Sequence, residues 1–381
     1  MLTVLTNADF YVGDGVVADR ALLVRDGVID GWGSLEAKGD HVIDLEGQTV
    51  APGFIDLQVN GGGDVLLNDE PTPSGVAAIA AGHRRVGTTD VMPTFITGPI
   101  EDMRRAAAAV AAARETDPGV LGIHFEGPML SPAKLGVHDP RFVRGDDEDV
   151  LQVLIQAAQD AAVGKVIVTL APEVVRAGTV SRLIEAGAIV AIGHTNATAE
   201  QVGRALDEGA TLGTHVWNAM SPLGSREPGA VGALMSAKNA WCDFVADGHH
   251  VDFTTLRLSL RAAAPRAFLV TDAMSPVGGT KGGYRLGDLE VTVVDGRCVT
   301  ADGTIAGSAL DLATAVRNVV QHVGIAKDEA LRMATAYPAQ CLGVADRRGR
   351  IAQGYPAHLV VVDNELHVRR VLYGETWVAT T

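Results

Sequence analysis

Four side chains that can bind a metal ion or carry a proton stand at the ends of apolar, strand-like runs. Glu126 ends VLGIHFE, His194 ends AIVAIGH, His215 ends TLGTH and Asp272 ends AFLVTD. In α/β enzymes the carboxyl ends of parallel strands meet at one edge of the sheet, where the chemistry is located. We therefore expect these four side chains to share one cup at the carboxyl edge of a parallel sheet.

The residue types indicate metal-assisted hydrolysis. A catalytic zinc ion typically has three protein ligands and an open position for water. Glu126, His194 and His215 offer one carboxylate and two imidazoles, and a water molecule in that open position would lose a proton near neutral pH. Asp272 is then expected to accept that proton and return it to the leaving group. Taken singly, a strand-end histidine is more often a satisfied polar residue and a strand-end aspartate a helix cap. The combination favours a site.

The elements that must position these residues alternate between strands and helices. Eight apolar strands are predicted at 53–59, 88–93, 120–126, 166–171, 188–194, 211–215, 241–246 and 268–272. Helices are predicted between and after them at 73–86, 101–115, 147–162, 180–186, 198–208, 253–263 and 310–322. Eight such units predict an α/β fold, the (β/α)8 TIM barrel. A doubly wound sheet is the alternative, but its glycine-rich phosphate fingerprint is missing after the first strand.

The two ends of the chain look different from the middle. Residues 1–51 and 349–381 contain short β runs separated by turn signals, which predicts one small β-sandwich domain formed by both chain ends, with the barrel at 52–348. A β-hairpin insertion is predicted near 284–304, around Asp295-Gly296. Residues 128–145 are long for a loop that joins a strand to a helix, so a mobile lid is expected there.

Composition limits the class of partner. Hydrophobic residues make up 47% of the 381 residues and charged residues 20%, as in a compact globular protein. The formal net charge of −15 argues against a nucleic-acid partner, because phosphate backbones require a basic surface. We expect no membrane partner, since no apolar run has membrane-spanning length. The start of the chain lacks a signal-peptide pattern, and Cys242, Cys298 and Cys341 form no CxxC pair, so a cytoplasmic protein with reduced thiols is expected.

Longer motifs resemble a known family. They are PGFIDLQVNG (52–61), GTTDVMPT (87–94), GIHFEGP, GHTNA (193–197), THVWNAMSPL (214–223), ADGHHVD (246–252), VTDAMSP (270–276) and GTIAGSAL (303–310). With these motifs the chain resembles, nearly end to end, the N-acetylglucosamine-6-phosphate deacetylases of the amidohydrolase superfamily. The resemblance implies hydrolysis of the acetamide of N-acetyl-D-glucosamine 6-phosphate to D-glucosamine 6-phosphate and acetate, by metal-activated water, in amino-sugar catabolism and cell-wall recycling. Asp272 would be the general acid and base.

The resemblance also bears on how many metal ions bind. It implies a mononuclear or binuclear site with Glu126, His194 and His215 as ligands. Many members of the superfamily carry His-x-His after the first strand for a second metal, whereas this chain has Gln58 and Asn60 there. Neutral amides are weak ligands, so we expect one tightly bound divalent ion, zinc, and at most a weak second site.

The substrate-binding residues follow from the same resemblance. It implies that Asn218 and the backbone N–H of Ala219 bind the phosphate, together with Arg226 and His250. One or both of the latter two would reach in from the partner subunit of a homodimer. Arginine suits this role, because its guanidinium group forms a bidentate fork with phosphate oxygens.

At the other end of the substrate, the resemblance implies that His138, in the predicted lid, contacts the sugar derivative and polarises the acetyl carbonyl. Backbone groups of Ile305, Ala306 and Gly307 would lie beside the acetyl methyl group or the sugar ring. Two other functions stay open: a deaminase or cyclic-amide hydrolase on the same barrel, and a sugar-phosphate sensor or scaffold that has lost catalysis. A strong requirement for the 6-phosphate would distinguish the deacetylase from the first, and the presence of all four strand-end residues argues against the second.

Overall fold

The computed structural model describes residues 1–294, 296–301 and 303–380. Its centre is a barrel of eight parallel strands that are hydrogen-bonded in chain order. We number them barrel strands 1 to 8: Phe54–Val59, Thr88–Ile96, Gly122–Glu126, Lys165–Leu170, Ile189–Ile192, Leu212–Gly213, Trp241–Val245 and Ala267–Val270. Barrel strands 1 and 8 meet where the Asp272 N–H donates to the Gln58 carbonyl (3.1 Å) and the Asn60 N–H to the Ala273 carbonyl (2.8 Å). The predicted barrel is confirmed.

Helices surround the barrel and begin at side-chain caps in several places. Their bounds are Pro73–Arg85, Ile100–Arg114, Glu148–Gln159, Thr179–Glu185, Ala199–Asp207, Gly229–Ser236, Phe253–Ala263, Leu312–Asn318, Lys327–Ala334 and Ala336–Cys341, with a 3-10 turn at Pro132–Lys134 and a π turn at Val319–Val323. Thr198 caps one of them in a capping box with Gln201, where each side chain accepts a hydrogen bond from the other's backbone N–H. None of the helices in the described ranges is long and apolar enough to cross a membrane.

Three of these helices were not predicted from the sequence, and neither was the early end of barrel strand 6. Helix Gly229–Ser236 is buried at most of its positions, so no polar face marks it as amphipathic. Helices Lys327–Ala334 and Ala336–Cys341 are short and follow the last predicted helix, 310–322. Barrel strand 6 was predicted to reach residue 215, but the backbone turns at His215, where φ is 32°.

Both chain ends join in one further eight-stranded sheet. Its strands are Leu2–Tyr11, Val16–Val17, Ala21–Arg25, Val28–Gly33, His41–Pro52, His358–Val362, Val368–Tyr373 and Thr376–Val378. The fifth of these strands pairs parallel with the first and antiparallel with the sixth, which brings the two chain ends together. This sheet has its own apolar cluster, which includes Phe10, Leu22 and Val361. The small domain formed by both chain ends is therefore present, while the boundaries at 51/52 and 348/349 stay predictions.

The insertion after barrel strand 8 is larger than a hairpin. It is a four-stranded antiparallel sheet of Gly283–Leu286, Leu289–Val294, Arg297–Thr300 and Ile305–Ser308. The second and third of these strands pair across Gly296, while Asp295 of the expected turn lies outside the described residues. A two-stranded ribbon, Gly61–Gly62 with Val65–Leu66, follows barrel strand 1.

A buried ionic cluster ties the small domain to the barrel. Asp90 of barrel strand 2 accepts a hydrogen bond from Arg348 Nε at 2.6 Å, and its other oxygen lies 3.2 Å from His358 Nδ1. Burial alone would raise the pKa of Asp90, but His358 and Arg348 lower it to about 2. The carboxylate therefore stays charged and paired where the two domains meet.

Candidate metal and active site

The four strand-end residues lie together at the carboxyl end of the barrel. Glu126 Oε1 lies 3.1 Å from His194 Nε2 and 2.9 Å from His215 Nε2. With Asp272 these residues line a cavity of about 180 Å³, and the side chains of Glu126, His194 and His215 are almost completely buried. The cup expected from the sequence is present.

Three of the four residues have a left-handed backbone. The φ angles are 46° at His194, 32° at His215 and 52° at Asp272. This conformation costs roughly 1–2 kcal/mol per non-glycine residue, so neighbouring groups must hold it in place. The His215 N–H donates to the buried carboxylate of Asp243, and the Asp272 N–H donates to the Gln58 carbonyl at 3.1 Å. The turns at His215 and Asp272 are thus fixed by neighbouring strands.

The donor set fits a divalent cation. His194 Nδ1 lies 2.8 Å from the Lys134 carbonyl, so it carries the proton and leaves a lone pair on Nε2. This Nε2 lies only 3.2 Å from His215 Nε2, with the Glu126 carboxylate beside both. Two imidazole lone pairs and a carboxylate oxygen converge in this way around a proton or a metal ion. The set of two nitrogens and one oxygen suits zinc.

His138 lies close enough to this group to be weighed as a ligand. Ligand atoms of Glu126, His138 and His194 all fall within 4.8 Å of one another. However, His138 Nε2 is 3.9 Å from Glu126 Oε2, whereas His215 Nε2 is 2.9 Å from Glu126 Oε1. His215 is therefore the closer partner of Glu126, and His138 lies further from that carboxylate.

The electrostatics of the group call for positive charge. Burial alone would raise the pKa of Glu126, but hydrogen bonds from His194 and His215 hold it well below its usual value. Burial would lower the pKa of His215, yet the hydrogen bond with Glu126 raises it to about 9. Burial, together with the neighbouring His194, lowers the pKa of His138 to about 3. Without a metal ion, a proton on His215 thus supplies the charge that Glu126 requires.

Gln58 and Asn60 occupy the place of the His-x-His pair and act as hydrogen-bond donors. Gln58 Nε2 donates to Glu126 Oε1 and to Asp272 Oδ1, both at 3.2 Å, and Asn60 Nδ2 donates to Asp272 Oδ1 at 2.6 Å. These N–H groups face the carboxylates of Glu126 and Asp272. Turning either amide to offer its oxygen would bring that oxygen against a carboxylate.

Asp272 is placed to exchange protons. Burial and the negative charge of Glu126 raise its pKa. Its Oδ2 lies 4.0 Å from His250 Nε2, and His250 Nδ1 is held by Asp247 at 2.6 Å. A carboxyl group with a raised pKa changes its protonation state more readily near neutral pH than an ordinary aspartate does.

The predicted substrate-binding residues separate into three groups. Six of them line the cavity: His138, Asn218, Ala219, His250, Ile305 and Gly307. Ala306 is buried, and its carbonyl accepts a hydrogen bond from the Tyr284 hydroxyl. Arg226 lies in the exposed stretch 222–228 and does not line the cavity of its own chain.

Several supporting residues were missed by the sequence reasoning. Thr97 Oγ1 lies 2.9 Å from His138 Nδ1, and Asp247 and Asp243 hold His250 and the His215 backbone. Asp243 interrupts the apolar run WCDFV, and Asp247 precedes His250 by three residues, so both left a readable signal. The role of the Lys134 carbonyl could not be read, because a backbone group carries no sequence signature.

Comparison with known proteins agrees with this geometry. The model of the amidohydrolase family matches residues 49–378. The chain belongs to the amidohydrolase family. This amidohydrolase is 40% identical to an N-acetylgalactosamine-6-phosphate deacetylase of Shewanella sp. (strain ANA-3), over 94% of this chain and 90% of the relative. It is 32% identical to the N-acetylglucosamine-6-phosphate deacetylase of Haemophilus influenzae, over 98% of each chain.

Solved structures show the same likeness for this amidohydrolase. The N-acetylglucosamine-6-phosphate deacetylase of Pasteurella multocida superposes with a TM-score of 0.94 at 34% identity, over 99% of both chains. An aspartate-to-alanine mutant of the Mycobacterium smegmatis enzyme, in complex with N-acetyl-D-glucosamine-6-phosphate, gives a TM-score of 0.89 at 33% identity, over 100% of this chain and 99% of that one. The resemblance inferred from the motifs is confirmed.

Proposed function

We propose that this amidohydrolase removes the acetyl group of N-acetyl-D-glucosamine 6-phosphate, releasing acetate and D-glucosamine 6-phosphate. One observation carries the proposal: a buried cluster fitted to a single cation faces Asp272, a carboxyl group with a raised pKa, inside one small cavity. Deacetylase relatives that match nearly the whole chain support it.

The reacting groups divide the work. Glu126, His194 and His215 would hold the ion, which when bound lowers the pKa of water and polarises the acetamide carbonyl. Asp272 takes a proton from the attacking water and gives one to the departing amine. His138, neutral because burial depresses its pKa, donates a hydrogen bond to the carbonyl oxygen as negative charge develops there.

The phosphate is proposed to lie on the side of Asn218, Ala219 and His250. The Ala219 N–H, in a left-handed turn with φ of 49°, and the Asn218 amide offer directional donors, and the His250 ring lines the same side of the cavity. Backbone groups of Ile305, Ala306 and Gly307 would border the acetyl group or the sugar ring.

Arg226 is proposed to act across a homodimer. It is exposed eight residues after Asn218 and does not line the cavity of its own chain, which supports a role in another subunit's site. Mixing two inactive variants tests this. Subunits with Arg226→Ala and subunits with Asp272→Asn should form hybrid dimers in which one site is intact, and recovered activity supports a shared site. If subunit exchange is verified and activity still does not recover, the shared site is contradicted.

The direct test is acetate release from purified protein that carries one metal at a time. Activity should require the 6-phosphate, so N-acetylglucosamine itself should be a far poorer substrate. A protein that ignores the phosphate would instead fit the deaminase or cyclic-amide hydrolase class. Absence of turnover with every metal tested would favour the sensor or scaffold reading.

N-acetyl-D-galactosamine 6-phosphate, the 4-epimer of the proposed substrate, is a second candidate substrate. The Shewanella relative at 40% identity is an N-acetylgalactosamine-6-phosphate deacetylase, and this identity exceeds the 32% shared with the Haemophilus enzyme. Measuring kcat/KM for both epimers under one condition decides which is preferred.

Zinc is the proposed metal, bound tightly at one site, since two nitrogen ligands and one oxygen ligand match its preference. Gln58 and Asn60, which point N–H groups at the carboxylates, support a weak second site at most. The cytoplasm is the proposed compartment, because the three cysteines are free thiols.

A further inference from the structure

A large groove opens from the reaction centre. Its volume is about 970 Å³, against about 180 Å³ for the cavity that holds Glu126 and Asp272. The two share a throat, formed by Ile96, Gly136, Val137 and His138. Cavities of this size hold whole small-molecule ligands, so the groove exceeds what an acetyl methyl group needs.

Barrel topology fixes which end of the substrate faces this groove. Asn218 and Ala219 follow barrel strand 6, and His250 follows barrel strand 7. Ile96 ends barrel strand 2, and His138 follows barrel strand 3. In a ring of eight strands, 2 and 3 lie across the mouth from 6 and 7. The throat is therefore opposite the residues proposed to bind phosphate.

The chemistry of the substrate then orients the acyl group. The phosphate is carried on C6 and the amide on C2, on opposite sides of the sugar ring. The alkyl part of the acyl group extends from the carbonyl carbon, away from both nitrogen and sugar. With the phosphate near Asn218 and the carbonyl at His138, this alkyl part enters the throat between Ile96 and Val137.

The walls of the groove favour uncharged chains. Its apolar lining includes Pro99, Phe142, Leu286 and Leu289, which contribute from the loops and from the inserted sheet. Its charged lining is acidic, with carboxylates on Asp69, Asp139, Asp288 and Glu290. Among the described residues that line the groove, Arg141 is the one lysine or arginine, and it pairs with Asp139 and lies 3.7 Å from Asp288. An added negative charge would be repelled.

We propose that this groove is an acyl-chain subsite, and that the protein hydrolyses N-acyl-glucosamine 6-phosphates whose uncharged acyl chains are longer than acetyl. The inference rests on the proposed function. Water adds across the amide C–N bond, the oxygen stays on the acyl carbon and the amine takes a proton. The products are the chain's carboxylate and D-glucosamine 6-phosphate, and no further reactant is needed.

A chain-length series tests this proposal. The zinc-loaded protein would be assayed for free amine with N-acetyl-, N-propionyl-, N-butyryl-, N-hexanoyl- and N-succinyl-glucosamine 6-phosphate. In a closed pocket one extra methylene costs about 10- to 200-fold. With the groove open, kcat/KM for the propionyl and butyryl compounds should stay within about tenfold of that for acetyl, the range below any such penalty.

The outcomes are distinguishable. A loss of more than about tenfold at propionyl, with acetyl active, overturns the acyl subsite and leaves the deacetylase intact. Failure with acetyl itself overturns the proposed function. Efficient hydrolysis of the succinyl compound contradicts the charge argument, because repulsion by the acidic walls should make it at least about tenfold poorer than the butyryl compound.

A matched pair of variants places the subsite. Leu289→Trp adds bulk to a groove-lining leucine that is 42% exposed, and Leu258→Trp makes the same change on a leucine that is 63% exposed and lines neither cavity. Leu289→Trp should lower kcat/KM for the hexanoyl compound by about tenfold, the steric penalty expected for one methylene that does not fit. It should leave kcat/KM for the acetyl compound unchanged. Leu258→Trp should change neither. Equal effects of both variants, or none from Leu289→Trp while hexanoyl is hydrolysed, place the chain elsewhere and overturn the assignment.

Discussion

Replacing Asp272 with asparagine separates proton transfer from folding more cleanly than any other substitution at the site. Asp272 Oδ1 accepts hydrogen bonds from Asn60 Nδ2 at 2.6 Å and from Gln58 Nε2 at 3.2 Å. An asparagine oxygen can accept both bonds in the same place, so the local geometry should persist. The variant loses only the ability to take and return a proton.

The expected size of the effect follows from that loss. General acid–base catalysis contributes about 10²- to 10⁴-fold, so kcat for Asp272→Asn should fall by that factor. At 1.36 kcal/mol per tenfold, the barrier rises by about 3–5 kcal/mol. KM should change little, because the groups proposed to bind the phosphate are untouched.

The stability effect has the opposite sign. Burial and the charge of Glu126 raise the pKa of Asp272. A carboxyl group whose pKa is higher in the folded than in the unfolded chain lowers the free energy of unfolding at any pH above its folded pKa. Removing the charge should therefore leave the melting temperature of the metal-free variant at or above that of the wild type at alkaline pH.

The assay combines single-turnover kinetics, zinc content and thermal denaturation. Asp207→Asn is a suitable control, because this exposed aspartate ends helix Ala199–Asp207 away from the cavity. If Asp272→Asn keeps kcat within about tenfold of wild type, the proton-transfer role is wrong. If it loses zinc and melts early instead, Asp272 is a structural residue and the reasoning about its hydrogen bonds fails.

Three further outcomes are expected. Titrating metal-free protein with zinc should raise the melting temperature until one equivalent is bound, and two tight equivalents by calorimetry would contradict a single firm site. Acid should remove the contribution of Asp90: its pKa of about 2 lies below the ordinary 3.8, so about 2 kcal/mol of stability present above pH 4 is lost as pH falls towards 2. Chemical denaturation at several pH values should show that the free energy of unfolding of Asp90→Asn depends less steeply on pH in the acid range. The substitution also removes the charged partner of Arg348. An unchanged pH dependence would refute the pairing. Gly307→Ala should lower stability by about 1–3 kcal/mol, because φ is 80° and a Cβ would lie 2.5 Å from Met274 Cγ. A melting curve that matches wild type would contradict that clash.

The sequence predicted the barrel and the cup because both depend on local patterns. Apolar runs that end in Glu126, His194 or Asp272 predict buried parallel strands with functional residues at their carboxyl ends. The helix Gly229–Ser236 was missed because its burial on nearly all sides erases the amphipathic period.

Other parts of the site depend on contacts between distant segments. The loop that places His138 is fixed by Thr97, which belongs to another strand-end loop, and the His194 tautomer is fixed by a backbone carbonyl at Lys134. The groove lies between this loop and the inserted sheet. The sequence predicted only a hairpin where this sheet has four strands. Neither arrangement follows from any single segment.

The left-handed backbone at His194, His215 and Asp272 has a consequence for how such a site can change over evolution. Outside glycine, this conformation is tolerated best by asparagine, aspartate and histidine, and worst by β-branched side chains. The residue types that fit these three turns are therefore largely those that bind metals or transfer protons. Mutation at these positions explores histidine, aspartate and asparagine at low conformational cost, whereas valine, isoleucine or threonine would disturb the fold as well as the chemistry. The backbone thus restricts the accessible variants to chemically related sites, which can alter metal preference or proton affinity without dismantling the barrel.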